Sequence, residues 1–245
     1  MAEILESMTK KIKTGRGKQE HVNDLLENPE AIASSLSRGE SFLKENTKVV
    51  AGLIGLMVLV IAGILFFQIH KANQNETAQS EMFQAVYYFE QDSVELALNG
   101  DGVNPGFLSI IDDYSGTDAA NLSHFYTGSI YLSQGDFQKA VDNLEEFSSD
   151  DFFVQSKAYA LVGDAYMELG NFNEAIKSYT KAANHKENKY FTPMYLNKLA
   201  IAYEEAGQLD KAIETYGRIE NEYFESYEFT AARKHKARLE GLAAN

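Results

Sequence analysis

The sequence has no cysteine. That rules out a disulfide framework, a thiolate zinc site and a cysteine nucleophile, so any folded part must be stable on packing alone. Positive charge is also missing over a long stretch: after Lys71 no Lys or Arg occurs until Lys139. The motifs of catalysis are absent as well. His21, His70, His124, His185 and His235 are isolated, and no pair has the i, i+3 or i, i+4 spacing of a helical metal site. Adjacent acids such as Asp112-Asp113, Glu145-Glu146, Asp150-Asp151 and Glu204-Glu205 diverge on a helix or turn, and cannot face one another as an acid and base pair. Thr14-Gly15-Arg16-Gly17-Lys18 lacks the spacing of a phosphate loop and follows no strand. No glycine-rich cofactor loop or nucleophile motif appears, so neither an enzyme nor a cofactor is expected.

The chain does have one long apolar run, Val49 to Phe67, VVAGLIGLMVLVIAGILFF, which carries no charge and no hydrogen-bonding side chain. As a helix at about 1.5 Å per residue it reaches roughly 28 Å, close to the hydrocarbon thickness of a bilayer. Its Val, Leu, Ile and Phe residues together favour insertion by several kcal/mol, as an order of magnitude. A core helix this long is rarely apolar on every face, and a cleaved signal has a shorter apolar segment, a brief leader and a small-residue cleavage site. His70-Lys71-Ala72-Asn73 offers no such site, and the expectation is an uncleaved single-span helix over 49–69. Within it Ala51 and Gly55 form a small-xxx-small pair, and with Gly52 and Gly63 they are the candidate contacts for a neighbouring membrane helix.

The flanks predict orientation. Arg38, Lys44 and Lys48 precede the run, whereas only His70 and Lys71 follow it before the cation-free stretch. The positive-inside rule puts residues 1–48 in the cytoplasm and 70–245 across the membrane. Residues 1–48 carry eight basic and eight acidic residues, so the net charge of −14 belongs to the rest, where 22 − 8 = 14 basic residues meet 36 − 8 = 28 acidic ones. Nucleic acid and anionic headgroups are poor ligands for so acidic a domain. The first residues, with Lys10, Lys11, Lys13, Arg16 and Lys18, read as a disordered basic arm, and Asn28-Pro29 as the start of a juxtamembrane helix with Ile32, Leu36 and Leu43 on one face.

Beyond Lys71 the pattern is all-α. Residues 73–91 read as a helix with Met82, Val86, Tyr87 and Phe89 at apolar positions, followed by a short segment to Asn99, a turn at 100–105 and a helix at 106–114. We take 70–120 as a degenerate repeat. Three segments then superimpose: 125–147, 160–182 and 198–219. Their landmarks are Tyr131, Tyr166 and Tyr203; Gly135, Gly170 and Gly207; Ala140, Ala175 and Ala212; and small residues at Gly128, Gly163 and Ala200. Each series steps by 35 and then 37 residues, which is the tetratricopeptide (TPR) period with small loop insertions. Small residues let paired helices approach, and the landmark glycine ends the first helix where φ must be positive. Residues 121–226 are thus expected to form three TPR-like hairpins stacked as an α-solenoid, and 227–245 a C-terminal capping helix with Phe229 and Leu239 inward and Lys234, Lys236 and Arg238 in water.

Solenoids bind peptides along their inner helices. By repeat register the groove receives Leu122, Phe125, Ser129 and Leu132; then Lys157, Ala160, Asp164, Met167 and Glu168; then Met194, Asn197, Ile201, Glu204 and Glu205. Phe125, Ala160, Asp164 and Ile201 stand where clamps for acidic chaperone C-termini carry Lys, Asn and Arg, which disfavours that ligand class. Met and aromatic side chains suit a loosely specified, partly unfolded client. Some of these residues pack on a neighbouring helix in the competing reading.

Ser41-Phe42-Leu43-Lys44-Glu45-Asn46-Thr47-Lys48 running into Val49, together with the irregular 73–114 region ahead of regular repeats, resembles the YfgM family. The resemblance covers about residues 30–245, and the long basic arm departs from it. It implies a single-pass bacterial inner-membrane protein with a periplasmic TPR domain, an accessory subunit of the Sec translocon. Its implied partners are translocon subunits, exported polypeptides and periplasmic chaperones. A structural scaffold for cell division or outer-membrane assembly is the alternative. A mitochondrial import receptor would need its repeats on the cytosolic side, against the flanking charges.

Overall fold

A computed structural model describes residues 46–243 together with Ala33, Ser37, Leu43 and Lys44. The basic arm and the expected helix start at Asn28-Pro29 lie outside the described residues. Those described form ten helices and no strand: α1 Thr47–Glu90, α2 Val94–Asn99, α3 Phe107–Asp113, α4 Asp118–Gln134, α5 Phe137–Glu146, α6 Phe152–Glu168, α7 Phe172–Asn184, α8 Thr192–Glu205, α9 Leu209–Glu222 and α10 Phe229–Ala243. The architecture is a TPR-like solenoid preceded by one long apolar helix. The described residues divide into two units, one ending at Gln68 and the other beginning at Ile69.

In the first unit the apolar part of α1 is long and apolar enough to cross a membrane, and none of its most apolar 18-residue window is buried. Leu53, Leu59, Phe66 and Phe67 are all exposed. The sequence reading has a new helix starting near residue 73, whereas α1 continues unbroken to Glu90. Ala72, Asn73 and Gln74 follow Lys71 with neither Gly nor Pro, so no residue there ends the helix.

In the second unit the later part of α1 buries Ala78, Met82 and Ala85 against Ala97, Leu98, Phe107, Ile110 and Ala119. Asn75 fixes the register of α1 on α4: its side-chain oxygen accepts from the Ala119 amide at 3.1 Å, and its nitrogen donates to Asp118 at 3.2 Å. Thr117 caps the same helix by accepting from the Ala120 amide. Between α2 and α3 the chain turns tightly around Gly100 and Gly106. A Cβ on Gly106 would lie 2.2 Å from the Leu98 carbonyl oxygen and one on Gly100 2.3 Å from that of Asn104, so only glycine fits. Asp101 staples this turn, accepting from the amides of Val103 (2.8 Å) and Asn104 (2.7 Å), the Asn104 side chain (2.9 Å) and the Tyr88 hydroxyl (2.7 Å). Hydrogen bonds from the Asn104 amide first, then Tyr88, hold its carboxyl well below the usual carboxylate range.

From α4 onward the hairpins α4–α5, α6–α7 and α8–α9 repeat one construction. Gly135, Gly170 and Gly207 all have positive φ, and the residue after each donates its amide to the carbonyl of the landmark tyrosine: Asp136 to Tyr131, Asn171 to Tyr166 and Gln208 to Tyr203. Ala140, Ala175 and Ala212 are fully buried. A Cβ on Gly128 would sit 2.5 Å from the Leu144 side chain, and one on Gly163 2.5 Å from the Tyr179 ring. These glycines are therefore the sockets that receive the second helix of each hairpin.

The last helix differs from expectation in its charges. Leu239 is buried as expected and Ala232 with it, but Phe229 is only half-buried. Lys236 does not simply face water: it pairs with Glu220 at 2.9 Å. Arg238 reaches Glu204 on α8. A helix with one partner face brings its cations within reach of the acids on the two helices it covers.

A candidate protein-binding groove

Side chains from three successive hairpins enclose a pocket of about 570 Å³. Leu132 comes from the end of α4, Phe137 from the start of α5, Asp164, Met167 and Glu168 from α6, Tyr179 from α7, and Lys198 and Ile201 from α8. The period of the repeat creates this alignment, since each first helix presents its inner face beside that of its neighbour.

Asp164 is the polar centre. The Tyr179 hydroxyl donates to its Oδ1 at 2.6 Å, and Lys198 Nζ donates to the same oxygen at 2.7 Å. Burial, then the Asp164 charge, push the Tyr179 phenol upward, so it stays a donor throughout the physiological range. Lys198 neutralises Asp164 and lies 5.8 Å from the centroid of the Tyr179 ring. The exposed carboxylate of Glu168 then stands beside an apolar surface of Leu132, Met167 and Ile201, of which Ile201 is 38% exposed. Such a surface has the chemistry to hold an apolar side chain, and the flexible thioether of Met167 can adapt to different ones.

Of the groove residues expected from sequence, Leu132, Asp164, Met167, Glu168 and Ile201 converge on this pocket. The others do not line it. Leu122 packs against the core that α1 shares with α2, α3 and α4, Phe125 against the core of the first hairpins and Met194 against that of the last, while Asn197 is half-buried. Phe125 is held in a ring cluster with Phe147 at 5.1 Å and Tyr126 at 6.1 Å. Ala160, at 4% exposure, offers no surface.

Glu204 is a clear correction. Expected in the groove, its carboxylate instead accepts from the Tyr216 hydroxyl at 2.8 Å, pairs with Arg238 and lies 3.5 Å from His235. Burial opposes its ionisation, but Tyr216, Arg238 and His235 together outweigh that and hold its carboxyl below the usual range. It binds α10 to α8. The span candidates Ala51, Gly52, Gly55 and Gly63 are exposed, and a Cβ on any of the three glycines would meet nothing within 4 Å.

Sequence reasoning missed Tyr179, Lys198 and Phe137. The signal for Tyr179 was present: Leu144, Tyr179 and Tyr216 step by 35 and 37 residues, the same intervals as the other landmarks. A larger hollow of about 770 Å³, lined by Thr180, Leu199, Glu214, Arg218 and Lys236 among others, has its cations committed. Arg218 pairs with Glu187 and Glu222, and Lys236 with Glu220.

Residues 155–221 match the tetratricopeptide repeat family model, and residues 40–151 match that of the tetratricopeptide repeat-like domain. Among solved structures, two crystal structures of a Podosopora anserina putative kinesin light chain with nearly identical TPR-like repeats are similar at 18% identity. One has a TM-score of 0.46 and covers 67% of this chain and 85% of that one; the other has 0.45, 67% and 86%. No curated protein matches the chain.

Proposed function

We propose that this tetratricopeptide-repeat protein is held by α1 in a bacterial inner membrane, with its repeats in the periplasm, and serves the Sec translocon as an accessory subunit. Its groove receives newly exported segments and passes them to periplasmic chaperones. The observation that carries this reading is the continuity of α1, which leaves its exposed apolar stretch and becomes, without a break, the helix that buries Ala78, Met82 and Ala85. A groove carried by the same chain as such a helix is tethered at the bilayer, where tethering raises its effective concentration for any chain emerging there. The Lys and Arg asymmetry supports the orientation. One family model runs from residue 40 to residue 151, so the apolar run and the first solenoid helices recur together, in keeping with the resemblance to the YfgM family. Domain limits at 48, 69, 120 and 226 are part of the same proposal.

A structural scaffold for envelope machinery is the second reading. It is favoured by the small size of the apolar surface, since Phe125 and Met194 are drawn into packing and leave Leu132, Met167 and Ile201. Reporter fusions and crosslinking from the span test the first reading. A reporter active only outside the cytoplasm is expected to work when fused after Ala72 or at Asn245 and to be silent before Lys44. A photo-crosslinker at Gly55 or Gly63 is expected to trap a translocon subunit. Reversed reporter activity, or capture of only a division or outer-membrane assembly protein, would overturn it.

A further inference from the structure

The two ends of the solenoid are unlike. At its beginning, the second unit's part of α1 turns one face away from the core: Glu76, Ser80, Phe83, Tyr87 and Glu90 fall on a single helical stripe and are all exposed. Phe83 is 73% exposed and Tyr87 49%, two aromatics on one helix face with a glutamate beyond each. From residue 72 to residue 138 the chain has four Glu and six Asp but no Lys or Arg, so this end is acidic throughout.

At its other end, α10 carries Arg233, Lys234, His235, Lys236 and Arg238 against a single acid, Glu240. Lys236 and Arg238 are engaged within the chain, but Arg233 is 69% exposed with its nearest acid at 4.0 Å, and Lys234 is exposed. Helix α10 also occupies a repeat position. The small residues of the first helices are Gly163 and Ala200, 200 − 163 = 37 apart, and the next step of 237 − 200 = 37 falls on Ala237. In the preceding hairpins that small residue is covered by a bulky side chain of the following helix, Leu144 over Gly128 and Tyr179 over Gly163. Among the described residues no helix follows α10, and Ala237 is exposed.

We propose that the solenoid continues from one copy of this chain to the next: the aromatic stripe of α1 docks on α10 of a second copy. Phe83 and Tyr87 cover Ala237, while Glu76 and Glu90 face Arg233 and Lys234. The pairing is head-to-tail. An isologous contact through the α1 face would set acid against acid in a segment without a single Lys or Arg, which like-charge repulsion opposes. A heterologous contact of this kind builds rows or closed rings of copies, so each groove would have neighbours along the assembly. The surface is separate from the groove, and the function proposed above does not depend on it.

The absence of native cysteine makes the test direct. The full chain carrying Ser80→Cys and a differently tagged full chain carrying Ala237→Cys are co-expressed, oxidised in the membrane and resolved without reductant. Both positions are exposed, so neither change disturbs the core, and matching melting curves check this. The expected product is the mixed 80–237 dimer, at least tenfold above either like-with-like dimer. Glu76→Lys with Glu90→Lys in the Ser80→Cys chain is expected to remove it. Adding Arg233→Glu with Lys234→Glu in the other chain is expected to restore it. The idea is overturned by 80–80 dimers in excess, by no dimer at all, or by a mixed dimer that ignores the charge reversals.

Discussion

The segment that carries α2 and α3 and the hairpins that follow it solve the same packing problem with different parts. Between α2 and α3, helices of 6 and 7 residues are joined by a turn in which backbone meets backbone over Gly100 and Gly106 and a single carboxylate gathers four donors. In the hairpins from α4 to α9, helices of 10 to 17 residues meet side chain to glycine, with Leu144 in the socket of Gly128 and Tyr179 in that of Gly163. The first construction is singular and the second periodic. A contact between a side chain and a glycine can be copied every 35 or 37 residues, whereas a stapled turn depends on every residue within it.

The comparison is broken most severely in the periodic part by burying a charge. Ala175 is fully enclosed between the helices of its hairpin, so Ala175→Glu is expected to cost about 4 kcal/mol or more and to unfold the solenoid at ordinary temperature. Glu168→Ala, at the exposed rim of the groove, should leave the melting curve of the full chain in detergent almost unchanged. Equal effects would mean that the hairpin register is wrong.

Adding one methyl group separates the two constructions. At Gly163 the new Cβ meets the Tyr179 ring, which can yield by a small shift, and Gly163→Ala should cost about 1–3 kcal/mol. At Gly106 it meets the Leu98 carbonyl oxygen and the Gly100 amide, and neither can move without opening the turn. Gly106→Ala is therefore expected to lower the melting temperature further than Gly163→Ala. A smaller loss at Gly106 would show that the turn is looser than its backbone contacts imply.

The smallest effect comes from pH. Because Asp101 is held ionised, its folded value lies below its unfolded one, and the stability it contributes is complete above about pH 4 and is lost as pH falls below that. Asp101→Asn should melt below the unaltered chain at pH 7, with the difference shrinking as pH is lowered towards 3. A gap that stays constant with pH would assign the staple to shape rather than charge.

The periodic half was legible because its contacts demand residue types, small against bulky and glycine at positive φ, and those types recur at fixed steps. What escaped depends on elements far apart in the chain. Arg238 captures Glu204 across 34 residues, which no repeat register foretells, and Phe125 is drawn inward by Phe147. Asn75 reaches the start of α4 over 44 residues. In the irregular segment the turn was visible in its glycines and Pro105, but the expected helix start near residue 73 was not realised, because a membrane-length run gives no sign of where its helix stops unless a breaker follows. The pocket was half legible: the inner faces of α4, α6 and α8 supplied Leu132, Met167 and Ile201, while Tyr179 and Lys198 stand at positions the sequence reading did not assign.

The central claim is that the groove of a membrane-tethered solenoid receives chains in transit, and a photo-crosslinker at Met167 in the intact protein tests it most directly. Many different exported polypeptides, or a periplasmic chaperone, should be captured while secretion runs, and the yield should fall when secretion is blocked. One fixed envelope protein, captured with the same yield whether or not secretion continues, would contradict the account.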